Sequence, residues 1–465
     1  LGMEEAEVRK RVEKVSSMER IKTNVDKETG DKIREMELAG VKVDEDFKRY
    51  YPYNELASKV IGFTGGDNQG IIGLEVKYDK YMEGIPGTIL TLTDARGIEL
   101  ENTKEDRVEP VAGKTLQISM DYNIQMYAQQ MAEKVMEEKQ ADKVAILLMN
   151  PQNGEILAMV NVPEFDLNEP FTLNQDQEIS EKSKEALNQM WRNGCINDTY
   201  EPGSTFKIIT FSSALNENLF DMDKDTYFDQ GYEYVSGARI KSWKKGGHGL
   251  QTFREVLQNS SNPGFVEIGR RLGKKRIYNY VKNFGLTQKT GVDLPGESCG
   301  IMFDYKNFHE LEQATVAFGQ GISVTPLQLV TAISACVNGG YLLQPHILKE
   351  VRNNNNEIIY QAKRKVKRQV IKEETAKKVR DALESVVTDG GGRNAYIDGY
   401  RIGGKTGTAQ KAVNGSYVGG GYILSFVGIA PIDDPQIVLY IAMDNPKNCI
   451  QYGGTTVAPI ARKMF

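Results

Sequence analysis

Ser204 and Lys207 stand three residues apart in Glu201-Pro202-Gly203-Ser204-Thr205-Phe206-Lys207. The Glu-Pro-Gly turn reads as a helix start, and Phe206, Ile208, Ile209, Phe211 and Leu215 make that helix a buried one. A residue in the first turn sits among free backbone N–H groups at the positive helix end, where an oxyanion is favoured. The residue three further on shares its face. A lysine desolvated by apolar neighbours gives up its proton readily and can serve a nearby hydroxyl as base. Acyl transfer through a serine ester is the chemistry these two side chains could do. Taken alone, the pair is more often a plain helix start with a solvated lysine.

Two later clusters change that balance. Ser260-Ser261-Asn262 adds a second hydroxyl, able to relay a proton to a leaving amine. It also adds an amide that can bind a substrate carbonyl and the lysine. Gly403-Gly404-Lys405-Thr406-Gly407-Thr408 adds glycines that let a substrate backbone approach, with a cation and hydroxyls suited to a carboxylate. A strand edge there could take an extended peptide by strand addition. Residues 399–406 also satisfy the phosphate-loop pattern GxxxxGK[ST]. That reading needs an apolar strand before Gly399 and a helix after Thr406, and the sequence shows neither pattern.

The elements that must position these clusters can be read coarsely. Periodicity predicts a strand at 116–119, an amphipathic helix at 122–139 and a hairpin of strands 144–149 and 156–160 across Asn150-Pro151-Gln152-Asn153-Gly154. Helical patterns run on to about residue 340, and apolar strands return at 423–430 and 437–443. Strands at both ends with helices between predict one sheet built from distant segments. Ahead of residue 113 lie a charged helical stretch over residues 1–40 and short strand-like runs with Gly turns. The expected fold class is α/β in the α+β sense, with an amino-terminal pedestal over 1–112 and a catalytic domain over 113–465.

Composition removes several function classes. With 58 basic and 63 acidic residues in 465, the chain lacks the basic excess of a nucleic-acid binder, and no nucleic-acid partner is expected. The basic run at 363–368 reads as a solvated strand face. Four cysteines without a CxxC pair exclude a disulfide scaffold, and three histidines exclude a His-rich metal centre. No apolar run approaches the ~18 residues of a membrane helix.

The order Ser-x-x-Lys, Ser-x-Asn, Lys-Thr-Gly, at separations of roughly 55 and 145 residues, resembles the signature of penicillin-binding proteins and serine β-lactamases. Over residues 40–460 the chain looks like a class B penicillin-binding protein. Matching stretches are Gly154-Glu155-Ile156, Gly291-Val292-Asp293-Leu294-Pro295-Gly296-Glu297, Phe318-Gly319-Gln320-Gly321 and Thr325-Pro326-Leu327-Gln328. Arg49-Tyr50-Tyr51-Pro52, Asn68-Gln69-Gly70 and Gly73-Leu74-Glu75 extend the likeness into the pedestal. Thr93-Asp94-Ala95-Arg96-Gly97 and Gly246-Gly247-His248-Gly249 are similar to a sporulation-linked subgroup.

The resemblance implies a transpeptidase fold and a D,D-transpeptidase acting on peptidoglycan stem peptides that end in D-Ala-D-Ala, blocked by β-lactam antibiotics. It implies Ser204 as nucleophile, Lys207 as base, Ser260 as proton relay and Asn262 as donor-peptide ligand. Backbone N–H groups of Ser204 and Thr408 would form the oxyanion hole, and Lys405, Thr406, Gly407 and Thr408 would bind the donor carboxylate. It further implies a single-pass membrane anchor ahead of Leu1, an extracytoplasmic catalytic domain and a glycosyltransferase partner of wall elongation or sporulation. The competing readings are a β-lactam-hydrolysing enzyme or sensor, for which no suitably placed Glu is seen, and a catalytically silent scaffold.

No cofactor is required by this chemistry. Cys299, Asp304 and His309 fall within eleven residues of one another, and with Cys195 they form a candidate structural zinc set. Cys336 lies in an apolar helical run and reads as core. His248, between glycines, reads as a loop residue at the cleft rim with Trp243 packed under it, and residues 417–421 as a hairpin beside the cleft.

Overall fold

The structure, a computed structural model, describes the chain except residues 17–18, 24, 45–46, 91–105, 175–181 and 414–415. The carboxy-terminal half is built on helix α1 (Tyr122–Lys139), strands β1 (Lys143–Met149) and β2 (Ile156–Val162), and helices α2 (Lys207–Asn216), α3 (Asn262–Asn283), α4 (Pro326–Val337) and α5 (Glu373–Thr388). Strands β3 (Gly403–Val413), β4 (Ser416–Ala430) and β5 (Ile437–Asp444) and helix α6 (Ala458–Met464) join them, with shorter elements between. Local chemistry sets the boundaries. Asp121 caps α1 by accepting from the N–H groups of Asn123 and Ile124. Thr325 and Gln328 form a reciprocal capping box at the start of α4.

The five strands make one antiparallel sheet in the order β3-β4-β5-β1-β2. It joins segments nearly 300 residues apart, with Leu147 opposite Tyr440 and Ile146 opposite Ile441. Side chains alternate between its faces. Val144, Ile146 and Leu148 join the core under α1 and α6, whereas Ala145, Leu147 and Met149 join the core of α2, α3, α4 and α5. Both faces are covered, so these strands are apolar at nearly every position. Strand β3 remains at the sheet edge, directly beside α5.

Strand, not helix, follows Thr406, as the transpeptidase motif requires and the phosphate-loop reading forbids. Residues 226–252 depart from the expected helical pattern. Thr226–Asp229 pairs with Gly249–Thr252, and Tyr232–Val235 pairs with Ala238–Lys241. Aromatic and β-branched residues between Gly231, Gly237 and Gly246 favour these ribbons over a helix. The basic run is an exposed strand, Val366–Gln369 with its flank. The charged amino-terminal stretch holds two short helices, Glu5–Val12 and Lys27–Glu35. Residues 93–97 lie outside the described residues.

The pedestal meets the catalytic half through buried polar ties. Lys59 Nζ donates to the carbonyls of Asn161 at 2.8 Å and Pro163 at 2.6 Å. Ser58 Oγ donates to the buried Glu164 and accepts from Phe165 N–H. Tyr78 OH donates to Asp293, whose carboxylate also accepts the N–H groups of Ile347 and Leu348 at 2.7 Å. The Gly291–Glu297 stretch thus serves as a junction between the two parts.

Candidate active site

Ser204 lies in a single 3-10 turn, Gly203–Phe206, that runs straight into α2, so Lys207 opens the α-helix. The turn is fixed from below. Gly203 N–H donates to the Gly319 carbonyl at 2.9 Å, and Gly321 N–H donates to Glu201 at 2.8 Å. Gly319 has φ +85°, and a Cβ there would stand 2.0 Å from the Gly203 carbonyl oxygen. Only glycine fits both demands. The Phe318-Gly319-Gln320-Gly321 motif is therefore the seat of the nucleophile, a role its sequence did not disclose.

Lys207 is wholly buried. Its Nζ donates to the Ser260 carbonyl at 2.8 Å, to Ser260 Oγ at 3.1 Å and to Asn262 Oδ1 at 2.7 Å. Lys405, also buried, donates to Ser260 Oγ at 2.9 Å from the other side. Ser260 thus links the two amines, its hydroxyl within hydrogen-bond distance of both. Ser260 has φ +55°, a conformation that costs a non-glycine residue and that the surrounding bonds must hold. Burial, and then the nearby Lys405, push Lys207 well below the ordinary lysine range. Burial pushes Lys405 down to about 7. No carboxylate among the described residues pairs with either amine. Two desolvated amines sharing one hydroxyl favour a neutral lysine, the state a base needs.

On β3, Lys405 reaches Ser260 and Gly407 lies against Thr205, and Thr406 and Thr408 alternate with them along the strand. Thr408 is half-buried and its Oγ1 accepts from Gly453 N–H at 3.2 Å. The glycines of this strand make room for protein, not for a substrate. A Cβ on Gly407 would meet Ser425 Oγ at 2.3 Å and the Thr205 methyl at 3.0 Å. That close packing holds the nucleophile turn against the strand, with Thr408 beside Gly203.

The structure does not assemble the zinc set. Cys195 is fully buried with its thiol turned to the Val160 carbonyl, and burial pushes that thiol up to about 12. Cys299 is exposed, Asp304 starts a short turn, and His309 precedes the helix Glu310–Val316. Among the described residues no three His, Cys, Asp or Glu side chains are placed to share an ion. Cys336 is core, as expected. His248 is not a solvent-washed rim residue. Its side chain is buried and its Nδ1 lies 3.0 Å from Asp229. Trp243 lies over that ring, 5.4 Å between centroids, and is 60% exposed, so it covers the loop from outside. Asp229 was missed in the sequence because one aspartate at the end of a ribbon strand carries no spacing signal.

The chain is similar to known proteins over most of its length. The penicillin-binding protein transpeptidase domain matches residues 144–465, and the penicillin-binding protein dimerisation domain matches residues 1–118. The chain belongs to the penicillin-binding protein transpeptidase family, in its class B arrangement. It is 45% identical to stage V sporulation protein D of Bacillus subtilis over 99% of this chain and 70% of that protein. It is 32% identical to the peptidoglycan D,D-transpeptidase FtsI of Buchnera aphidicola over 95% of this chain and 72% of that protein. The crystal structure of penicillin-binding protein 3 from Mycobacterium tuberculosis in complex with aztreonam superposes with a TM-score of 0.77. The two are 29% identical, with 90% of this chain and 88% of that one covered.

Proposed function

We propose that this chain is a serine D,D-transpeptidase that crosslinks peptidoglycan through an ester on Ser204. The observation that carries the reading is the Lys207–Ser260–Lys405 relay beside the nucleophile turn, with both amines buried and no carboxylate among the described residues bonded to either. Neutral Lys207 takes the Ser204 proton as Oγ attacks the carbonyl between two terminal D-alanines. The N–H groups of Ser204 and Thr408 receive the oxyanion; losing one such donor costs about 2.7–4 kcal/mol in related chemistry. The C–N bond breaks, and the proton passes from Lys207 through Ser260 to the departing D-alanine amine. Asn262 holds the donor peptide, and Lys405 with Thr406 and Thr408 binds its carboxylate. An amine of a second stem peptide then attacks the ester, restoring Ser204 and leaving the crosslink. All these steps use side chains and backbone of this chain alone.

The likeness to a stage V sporulation protein supports spore cortex as the wall under construction. We place the enzyme at the outer face of a bacterial cell membrane, its pedestal turned to a glycosyltransferase partner of the sporulation or elongation machinery. The test is intact mass after incubation with a penicillin, wild type beside Ser204→Ala. One stable adduct on wild type only, mapped to Ser204, is expected. A transient adduct with hydrolysed drug released would favour a β-lactamase, and no adduct on folded wild type would favour a silent scaffold.

A further inference from the structure

Ser260 and Asn262 reach Lys207 only because the loop between Gln258 and α3 is held in a strained shape, and the holding group lies outside the three motifs. Ser261 separates the two and turns the other way. Fully buried, it accepts from Gly264 N–H at 3.1 Å to cap α3 and donates to Asp229 Oδ2 at 2.9 Å. Asp229, also fully buried, gathers four donors. Its Oδ1 accepts from Gly231 N–H at 2.7 Å, and its Oδ2 accepts from Ser242 Oγ at 3.2 Å as well as from Ser261. The fourth donor is His248 Nδ1 at 3.0 Å. The other nitrogen of that ring, Nε2, is buried without a hydrogen-bond partner among the described residues, so Asp229 is the polar anchor of the imidazole. Trp243, stacked edge-on to the ring, donates from its indole N–H to the Asn259 carbonyl at 2.8 Å, next to Ser260. The ribbons of residues 226–252 thus grip the catalytic loop at Asn259 and Ser261.

We propose that Asp229 is a positioning residue for the acyl transfer: locked by His248, it fixes Ser261 and thereby aims Ser260 Oγ and Asn262 Oδ1 at Lys207 Nζ. A carboxylate suits the post because one oxygen can accept several bonds, as Oδ2 does here, and because it holds donors without competing for the lysine protons. Asp229 touches neither Lys207 nor the donor-peptide groups, so its effect passes through geometry alone. The inference rests on the transpeptidase reading for its assay.

The experiment is stopped-flow acylation by a fluorescent penicillin, separating non-covalent binding from the acylation step, on wild type, Asp229→Asn, Ser261→Ala and Ser261→Thr. Asn keeps the size of Asp229 but puts an N–H₂ where Oδ2 accepts three bonds. Asp229→Asn and Ser261→Ala should slow the acylation step by about 10- to 100-fold, the scale of a 1 Å misplacement, with non-covalent binding changed less than about twofold. Ser261→Thr restores the hydroxyl and should bring the rate back to within about threefold of wild type. A folded Asp229→Asn or Ser261→Ala enzyme that melts early yet acylates at the wild-type rate per active site would overturn the proposal. Should Asp229→Asn not fold, the Ser261 pair decides alone. A wild type that forms no adduct would instead overturn the transpeptidase reading.

Discussion

Lys59 at the pedestal junction and Lys207 in the cleft are both buried lysines, and burial lowers the pKa of each. Their surroundings differ. Lys59 donates to two carbonyls and lies in the field of Glu164, which raises its pKa back towards the ordinary value. Glu164 in turn accepts from Ser58 Oγ and Asn161 N–H. Lys207 has neutral acceptors and, as its nearest charge, another lysine. A buried amine beside a buried carboxylate is a structural tie, whereas one beside a second amine is poised to lose its proton. The difference lies in one neighbouring charge, not in depth.

Removing the reactive amine should have the largest effect. Lys207→Ala should slow Ser204 acylation by about 10²- to 10⁴-fold, the range of general base catalysis, with the fold kept. Penicillin adduct formation against time checks it, and an unchanged rate would remove Lys207 from the mechanism. The converse holds at the junction. Lys59→Ala removes the donor to two buried carbonyls and the cation in whose field Glu164 lies, and should cost about 1–3 kcal/mol of stability, while acylation per folded molecule stays unchanged. A variant that melts like wild type would show that Glu164 needs no cation.

Lys405 sharpens the comparison through pH. Its folded-state value of about 7 lies below the ordinary 10.5. Between the two, the unfolded chain holds a proton that the native state has released, so stability rises with pH across that window. Below it, the full cost of burying the charge is present. Lys405→Met should therefore gain stability over wild type, on the order of 5 kcal/mol at most at acid pH. Thermal unfolding across the series should show the gain fading as pH climbs through the window, and a constant gain would contradict burial as its cause. The smallest effect belongs to the rejected metal set. Cys299→Ser, or a chelator on wild type, should shift stability by under about 0.5 kcal/mol and leave acylation alone.

Much of the site was readable because its chemistry is local. Ser204 with Lys207, Ser260 with Asn262, and Lys405 with Thr406 each occupy one helix turn, one loop or one strand, where type and spacing fix what the side chains can do. The strands at 144–149 and 437–443 were readable because a sheet covered on both faces demands unbroken apolar runs. The zinc set failed for the same reason in reverse. Proximity in sequence put Cys299 near His309, but Cys195 folds into the core with a thiol that faces a carbonyl.

By itself, the sequence determined the three motifs, the sheet drawn from both ends of the catalytic half, and the family. Only the tertiary structure decided what lies around them. It set Gly319 under the nucleophile, Gly407 against Thr205, the burial of Lys207 and Lys405 on either side of one hydroxyl, and Asp229 behind Ser261. The physical reason is that a proton's affinity and a loop's shape depend on which groups share a desolvated volume. Those groups come from positions up to some 200 residues apart, and no local spacing records their meeting.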